Sequence, residues 1–168
     1  NSEEYLRILI SVMNYVFYDR AKYLGDSEFF DVPQKILTSK KYGKNIYDRI
    51  LNNIRPTESN IIFSESEETT HFSIIDKWGN AVSNTYTLNT AYGSGIIPSG
   101  TGILMNNEMD DFSSKPGHPN AYGLVGSEAN KIEPNKAPLS SMSPAIVFFE
   151  EKPFLVTGSP GGSTIITT

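Results

Sequence analysis

Thr69-Thr70-His71 opens an alternating segment directly after an acidic stretch, residues 57–68, that holds four glutamates and no basic residue. A threonine hydroxyl is a weak nucleophile unless a base sits beside it. If the peptide bond before Thr69 is cut, the residue supplies that base itself: its free α-amine, with an ordinary pKa of about 8, can take the hydroxyl proton. Threonine is also simply a good strand residue, and taken singly Thr69 reads first that way. A second candidate, Ser159-Pro160-Gly161-Gly162-Ser163, follows the apolar run Phe154–Val156. A Gly-Gly pair there suits a helix start whose exposed N–H groups meet an anion or oxyanion, and it suits an ordinary tight turn equally well. No lysine follows, so it is not a nucleotide phosphate loop.

Asn106-Asn107-Glu108-Met109-Asp110-Asp111 gathers three carboxylates and two amides at the end of an apolar run. Such a group can hold Ca²⁺ or an ammonium ion, although the spacing of a helix–loop–helix calcium site is missing. A solvated acidic loop is the alternative. Ser140-Ser141-Met142-Ser143-Pro144 offers hydroxyl donors, or a capped turn. His71 reads as a packed, hydrogen-bonded residue and His118, beside Pro119, as an exposed one. With zero cysteines and two histidines, disulfides, thiol nucleophiles and thiolate metal sites are excluded, and little remains for zinc.

These groups need elements to position them, and composition divides the chain near residue 69. After that point lie 11 of the 13 glycines and 8 of the 10 prolines, whereas all four arginines (Arg7, Arg20, Arg49, Arg55) come before it. The first part is therefore expected to be helical, the second built of strands and tight turns. Asn1 and Glu4 suggest a capping box ahead of the stripe Leu6, Ile8, Leu9, Val12, Met13, Val16 and Phe17, in a helix ending before Gly25. Ser39 can cap a second helix carrying Ile46, Ile50 and Ile54 and stopping at Arg55-Pro56. The segment 57–68 reads either as a solvated linker or as one kept exposed because it is cut.

Thr69–Asp76 alternates, with Phe72 and Ile74 on one face and Ser73 and Ile75 on the other. Lys77-Trp78-Gly79-Asn80 supplies a turn and Ala81–Leu88 the returning strand. Gly102–Asn107 and Pro144–Phe149 are expected strands, and Phe154–Thr157 a third after the turn Glu150–Pro153. Asp110–Ala137 is long and rich in Pro, Gly and Asn, and a loop of that length is usually functional or disordered.

At 168 residues, with 38% apolar, 20% charged and 11% aromatic residues, the chain has the profile of a globular domain with one sizeable core. Its net charge of −5 argues against a nucleic-acid binder. No run is long enough for a membrane span and none resembles a signal peptide. The absence of an initial Met suggests a processed or excised piece.

Taken in order, Thr69-Thr70-His71-Phe72-Ser73, Thr85-Tyr86-Thr87-Leu88-Asn89, Asn106–Phe112, Pro138-Leu139-Ser140-Ser141-Met142-Ser143-Pro144 and Gly158-Ser159-Pro160-Gly161-Gly162 resemble the signature blocks of the γ-glutamyltranspeptidases. Tyr18–Asp26 resembles the last helical region of that family's large subunit. The resemblance implies an α+β fold, part of the αββα sandwich of N-terminal-nucleophile hydrolases. It divides the chain into 1–68, the end of the large subunit with its cleavage linker, and 69–168, the start of the small subunit. It implies autocatalytic cleavage between Glu68 and Thr69, after which Thr69 attacks γ-glutamyl amides such as glutathione and passes the acyl group to water or an amino acid.

By the same resemblance Thr87 positions the nucleophile, and Asn89, Glu108 and Asp111 hold the α-amino end of the substrate. Ser140 and Ser141 meet its α-carboxylate, and Gly161 and Gly162 form the oxyanion hole. Pro116–Ser127 is the lid loop with Tyr122 as its gating aromatic. No cofactor and no metal are implied. The implied partners are the substrate, the acceptor and the rest of the large subunit, with no nucleic acid; the implied location is periplasmic or extracellular. Where the family pattern has Arg after Gly-Gly-Ser, this chain has Thr164. The family is longer at both ends and draws its carboxylate-binding Arg from upstream, so the 168-residue chain by itself is expected to be catalytically silent. A related acylase or a poly-γ-glutamate-processing enzyme is the alternative reading.

Overall fold

The first apolar run folds into a long helix, α1 (Glu3–Tyr23). The structure, a computed structural model, describes residues 2–56, 69–120 and 123–167, so the linker 57–68 lies outside the described residues. Two compact units form, Asn1–Ile62 with Phe112–Leu139 and Phe63–Asp111 with Ser140–Thr168.

In the first unit the cap of α1 is Ser2, whose hydroxyl accepts the Tyr5 N–H at 3.2 Å, one residue later than the expected box; Asn1 lies outside the described residues. Glu3 and Glu4 in the first turn and Arg20 and Lys22 in the last complement the helix dipole. Only part of the apolar stripe is buried. Phe17 is covered and Ile8 packs on the cluster of Tyr15, Ile46 and Ile50, whereas Leu6, Val12 and Val16 remain exposed. The stripe spans a wider arc than one neighbouring helix can cover.

A short helix, α2 (Gln34–Leu37), precedes α3 (Lys40–Leu51), which Ser39 caps as expected by accepting the Tyr42 N–H at 3.1 Å. The end of α3 differs from expectation. It closes at Leu51 instead of running to Pro56, because Asn53 takes a left-handed φ of 55°. The N–H groups of Asn53 and Ile54 then reach back to the carbonyls of Ile50 (3.0 Å) and Arg49 (2.9 Å), the pairing of a Schellman closure with Asn in the place usual for Gly. The freed chain end is held by the Tyr15 hydroxyl, which donates to the Ile54 carbonyl at 2.6 Å.

The long segment after residue 111 is tied down where it is described. Ser127 donates its hydroxyl to the Lys22 carbonyl at 3.0 Å, and the Ala137 N–H donates to Asp26 Oδ2 at 2.9 Å. Backbone donors from Ala137 and Glu28 hold the Asp26 carboxyl below the usual carboxylate range. Lys136 is buried, pairs with Glu133 at 3.1 Å and lies over the Phe29 ring. Gly25 lies against the Ala129 carbonyl so closely that a Cβ would overlap it. Gly25→Ala should therefore lower stability by roughly 1–3 kcal/mol, read by denaturant titration of the full-length protein.

In the second unit β1 (Thr69–Ile75) and β2 (Ala81–Thr87) pair antiparallel, from Thr69 opposite Thr87 to Ile75 opposite Ala81. The turn is set by Asp76, whose carboxylate accepts the N–H groups of Trp78 and Asn80 at 2.9 Å each and the Asn80 side-chain amide at 2.7 Å. β3 (Ala145–Phe149) and β4 (Lys152–Thr157) form a second hairpin. Its turn is tighter than expected: only Glu150 and Glu151 lie between the strands, at φ 47° and 63°, as a two-residue turn compatible with strand twist requires. Gly102–Asn107 is not a strand. Met105 donates to the Ile96 carbonyl at 2.9 Å and accepts from Ser94 at 3.0 Å, so this segment is paired with an irregular Gly-rich loop.

Candidate active site

Side chains paired across the first hairpin share a face, because residues opposite one another in a ladder point the same way. One face therefore carries Thr69, His71, Ser73, Ile75, Ala81, Ser83, Thr85 and Thr87, and the other Thr70, Phe72, Ile74, Val82, Asn84 and Tyr86. Thr69 is buried at the start of β1 and stands directly across from Thr87. The Thr87 hydroxyl accepts the Asn89 N–H at 2.9 Å. Asn89 is buried at φ 77°, a conformation Asn tolerates better than most residues, and its side-chain amide donates to the Asn107 carbonyl at 3.0 Å. The Asn107 N–H returns a bond to the Leu88 carbonyl at 2.9 Å. Asn107, offered by the sequence only as one amide of the acidic cluster, acts instead through its backbone and clasps the end of β2 to that segment.

That segment is a 3-10 turn, Glu108–Asp111, begun by Asn106 Oδ1 accepting the Glu108 N–H at 3.0 Å. Burial, then the hydrogen bond and charge of Asp111, push the Glu108 carboxyl up to about 7. Glu108 Oε1 is buried with no hydrogen-bond partner among the described residues. Two carboxyls so close favour sharing one proton until a cation arrives, and an ammonium group would satisfy both. No cluster able to hold a metal ion is found among the described residues.

Gly161 and Gly162 follow β4, at φ 134° and 54°. Gly162 opens a 3-10 helix, Gly162–Thr167, so the expected helical run is of the tighter kind. The first internal donor of that helix is the Thr164 N–H, so both glycine N–H groups precede its internal bonds. Thr164 ties this loop to itself, its hydroxyl donating to the Gly161 carbonyl at 2.8 Å and its N–H at 3.1 Å. Ser140 is exposed and its hydroxyl accepts the Met142 N–H at 3.1 Å, while the Ser141 carbonyl accepts the Ser143 hydroxyl at 3.1 Å. Strand register sets Thr69 across from Thr87, and hydrogen bonds run from Thr87 through Asn89 to Asn107, the residue before Glu108, while Ser140, Ser141, Gly161 and Gly162 lie in loops of the same unit. Glu68 and Tyr122 lie outside the described residues.

Known proteins match this chain in sequence and, over part of its length, in fold. Residues 1–168 match the Gamma-glutamyltranspeptidase family. The chain is 53% identical to a "Glutathione hydrolase proenzyme" of Escherichia coli (strain K12), covering 99% of this chain and 30% of that protein. It is 37% identical to one of Bacillus subtilis (strain 168), again over 99% of this chain and 30% of the relative. The chain therefore spans about 30% of the length of these curated relatives. Among solved structures, a mutant of Helicobacter pylori γ-glutamyltranspeptidase superposes with a TM-score of 0.56 at 67% identity, over 58% of this chain and 53% of that one. The Pseudomonas nitroreducens γ-glutamyltranspeptidase complexed with L-DON gives 0.57 at 65% identity, over 58% and 51%. With mixed helices and small sheets superposable on those crystal structures, and a sequence matched from end to end, this chain belongs to the γ-glutamyltranspeptidase family.

Proposed function

We propose that this chain spans the subunit junction of a γ-glutamyl transferase/hydrolase acting on glutathione-like donors. Residues 1–68 end the large subunit, residues 69–168 begin the small one, and the protein cuts itself between Glu68 and Thr69. The observation that carries this reading is Thr69: a buried residue at the start of β1, directly across from Thr87, whose hydroxyl is bonded to Asn89 and through it to Asn107, beside the buried Glu108 carboxyl. In the mature enzyme the Thr69 α-amine takes the hydroxyl proton, and Oγ attacks the γ-carbonyl. The Gly161 and Gly162 N–H groups meet the developing oxyanion, and the proton leaves with the departing amine. Water or an amino acid then opens the ester. Glu108, Asp111 and Asn89 hold the donor's ammonium end, Ser140 and Ser141 its carboxylate, and Tyr122 closes the lid.

The apolar faces left exposed here, Phe72 and Ile74 on the first hairpin and Phe148 and Phe154 on the second, suit the inner layers of an αββα sandwich completed by the rest of the protein. No helix among the described residues is long and apolar enough to cross a membrane. A periplasmic or extracellular location goes with the bacterial relatives. The test is turnover of a γ-glutamyl anilide by the full-length protein, which should be active. The 168-residue chain alone should be silent, since it has no arginine beyond Arg55 to pair the α-carboxylate. Activity of the short chain equal to the full-length protein's would contradict the assignment of that missing partner.

The acid pair gives a pH dependence. The Glu108 carboxyl is raised from 4.5 to about 7, so its contribution to stability is complete below about 4.5 and is lost as pH rises through about 7. Donor binding runs the other way, because pairing with an ammonium requires the ionised form. The KM for the anilide should therefore fall as pH rises from 5.5 to 8, by up to roughly tenfold per unit below 7. Glu108→Gln should flatten that profile; an unchanged slope would remove Glu108 from the headgroup site.

A further inference from the structure

We propose that His71 is a positioning residue that sets the loop bearing Gly161 and Gly162, an inference resting on the reading of those glycines as oxyanion donors. His71 stands two residues after Thr69, on the same face of β1. Its ring is fixed at both nitrogens: Nδ1 lies 2.8 Å from the Thr85 hydroxyl across the hairpin, and Nε2 lies 2.9 Å from the Ser73 hydroxyl along the strand. Two anchors on a planar ring leave it little freedom to tilt.

Against that ring lies Gly158, the first residue after β4. A Cβ at Gly158 would overlap Cε1, Nδ1 and Nε2 of the imidazole. The backbone at Gly158 is not in the left-handed region, so conformational freedom does not call for glycine there. Space does: the imidazole occupies the volume a side chain would need. Next to it the Ser83 hydroxyl donates to the Thr157 carbonyl at 2.7 Å. The end of β4 is thereby seated on the same hairpin face that carries Thr69. From this seat the chain runs through Ser159 and Pro160 to Gly161, where Thr164 closes the loop on itself. The loop is internally tied at its far end and referenced to Thr69 at its near end through His71. Donors to an oxyanion must be held to within about 0.5 Å, and a 1 Å misplacement typically costs about 10²-fold in rate.

The test is a double-mutant cycle in the full-length protein with His71→Ala, Gly158→Ala and the pair. Two reagents are used: a γ-glutamyl anilide, and p-nitrophenyl acetate, whose Thr69-dependent hydrolysis needs the oxyanion donors but no amino acid headgroup. Thr69→Ala supplies the blank. Gly158→Ala should lower kcat about 10²-fold toward both reagents, with the KM for the anilide changed less than about twofold. In the His71→Ala background the same substitution should cost less than about threefold, because the ring's volume is vacated. His71→Ala, which introduces no clash, should itself lower kcat about tenfold without raising KM. An equal cost of Gly158→Ala in both backgrounds, or losses confined to KM, would overturn the proposal. A wild type that hydrolyses the ester but not the anilide removes the γ-glutamyl reading, and the ester then decides for or against His71 on the same criteria.

Discussion

Thr69→Ala in the full-length protein is expected to leave one uncut chain with γ-glutamyl turnover lowered by at least about 10⁴-fold, as removal of an essential nucleophile typically does. Both losses have one cause. On the proposed reading, the hydroxyl that attacks the Glu68 carbonyl during maturation is the one that attacks the donor afterwards, and the α-amine that serves as its base exists only after the cut. Thr69→Ser keeps a hydroxyl at the same buried position across from Thr87 and should still cut, more slowly. The alanine change removes one hydroxyl and one methyl from the end of a strand whose ladder runs on to Ile75, so the fold itself should persist. A denaturing gel and an anilide assay on the same preparations check both outcomes. Normal cutting by the alanine variant would exclude Thr69.

Asp111→Asn separates the two reactions. In the proposed site the donor's ammonium group meets Glu108 and Asp111, and replacing one carboxylate by an amide would turn an ion pair into a neutral hydrogen bond and leave the ammonium underpaired. Truncating a partner of a desolvated charge costs about 2–5 kcal/mol, which corresponds to roughly 30- to 5,000-fold in kcat/KM. Self-cleavage involves no donor headgroup and should proceed normally. The substitution also removes the acid that helps raise Glu108, so the pH at which KM changes should move down toward the ordinary glutamate range. Steady-state kinetics across pH measure both effects, and an unchanged kcat/KM would mean that Asp111 does not face the donor.

Which parts were legible in the sequence follows from how local their causes are. The first hairpin was, because alternation from Thr69 and the turn residues Lys77–Asn80 sit side by side, although the part Asp76 plays in that turn shows only in the bonds its carboxylate accepts. Ser39 as a cap was legible for the same reason. The end of α3 was not: Pro56 is the louder signal, but Asn53 adopts the left-handed conformation first and the closing bonds form there. Gly102–Asn107 has the composition of a strand, yet Met105 finds its partners in the loop around Ile96, and pairing is not written in either segment alone. The ties of the long segment join residues more than a hundred positions apart, Ser127 to Lys22 and Ala137 to Asp26, and no local pattern encodes them.

The site divides in the same way. As candidates, Thr69, Thr87, Asn89, Glu108 and Asp111 stand out in the sequence as members of ordered blocks. That Asn107 clasps Asn89, that Glu108 is buried enough to hold a proton near neutrality, and that His71 fills the space beside Gly158 became visible only with burial and distance.

Intact-mass analysis of the purified full-length protein, with N-terminal sequencing of whatever chains it contains, tests the central claim most directly. Two chains are expected, the lighter beginning at Thr69 with a free α-amine, their masses summing to the precursor's plus one water. A single uncut chain with full γ-glutamyl turnover, or a light chain beginning at any other residue, would contradict Thr69 as the nucleophile.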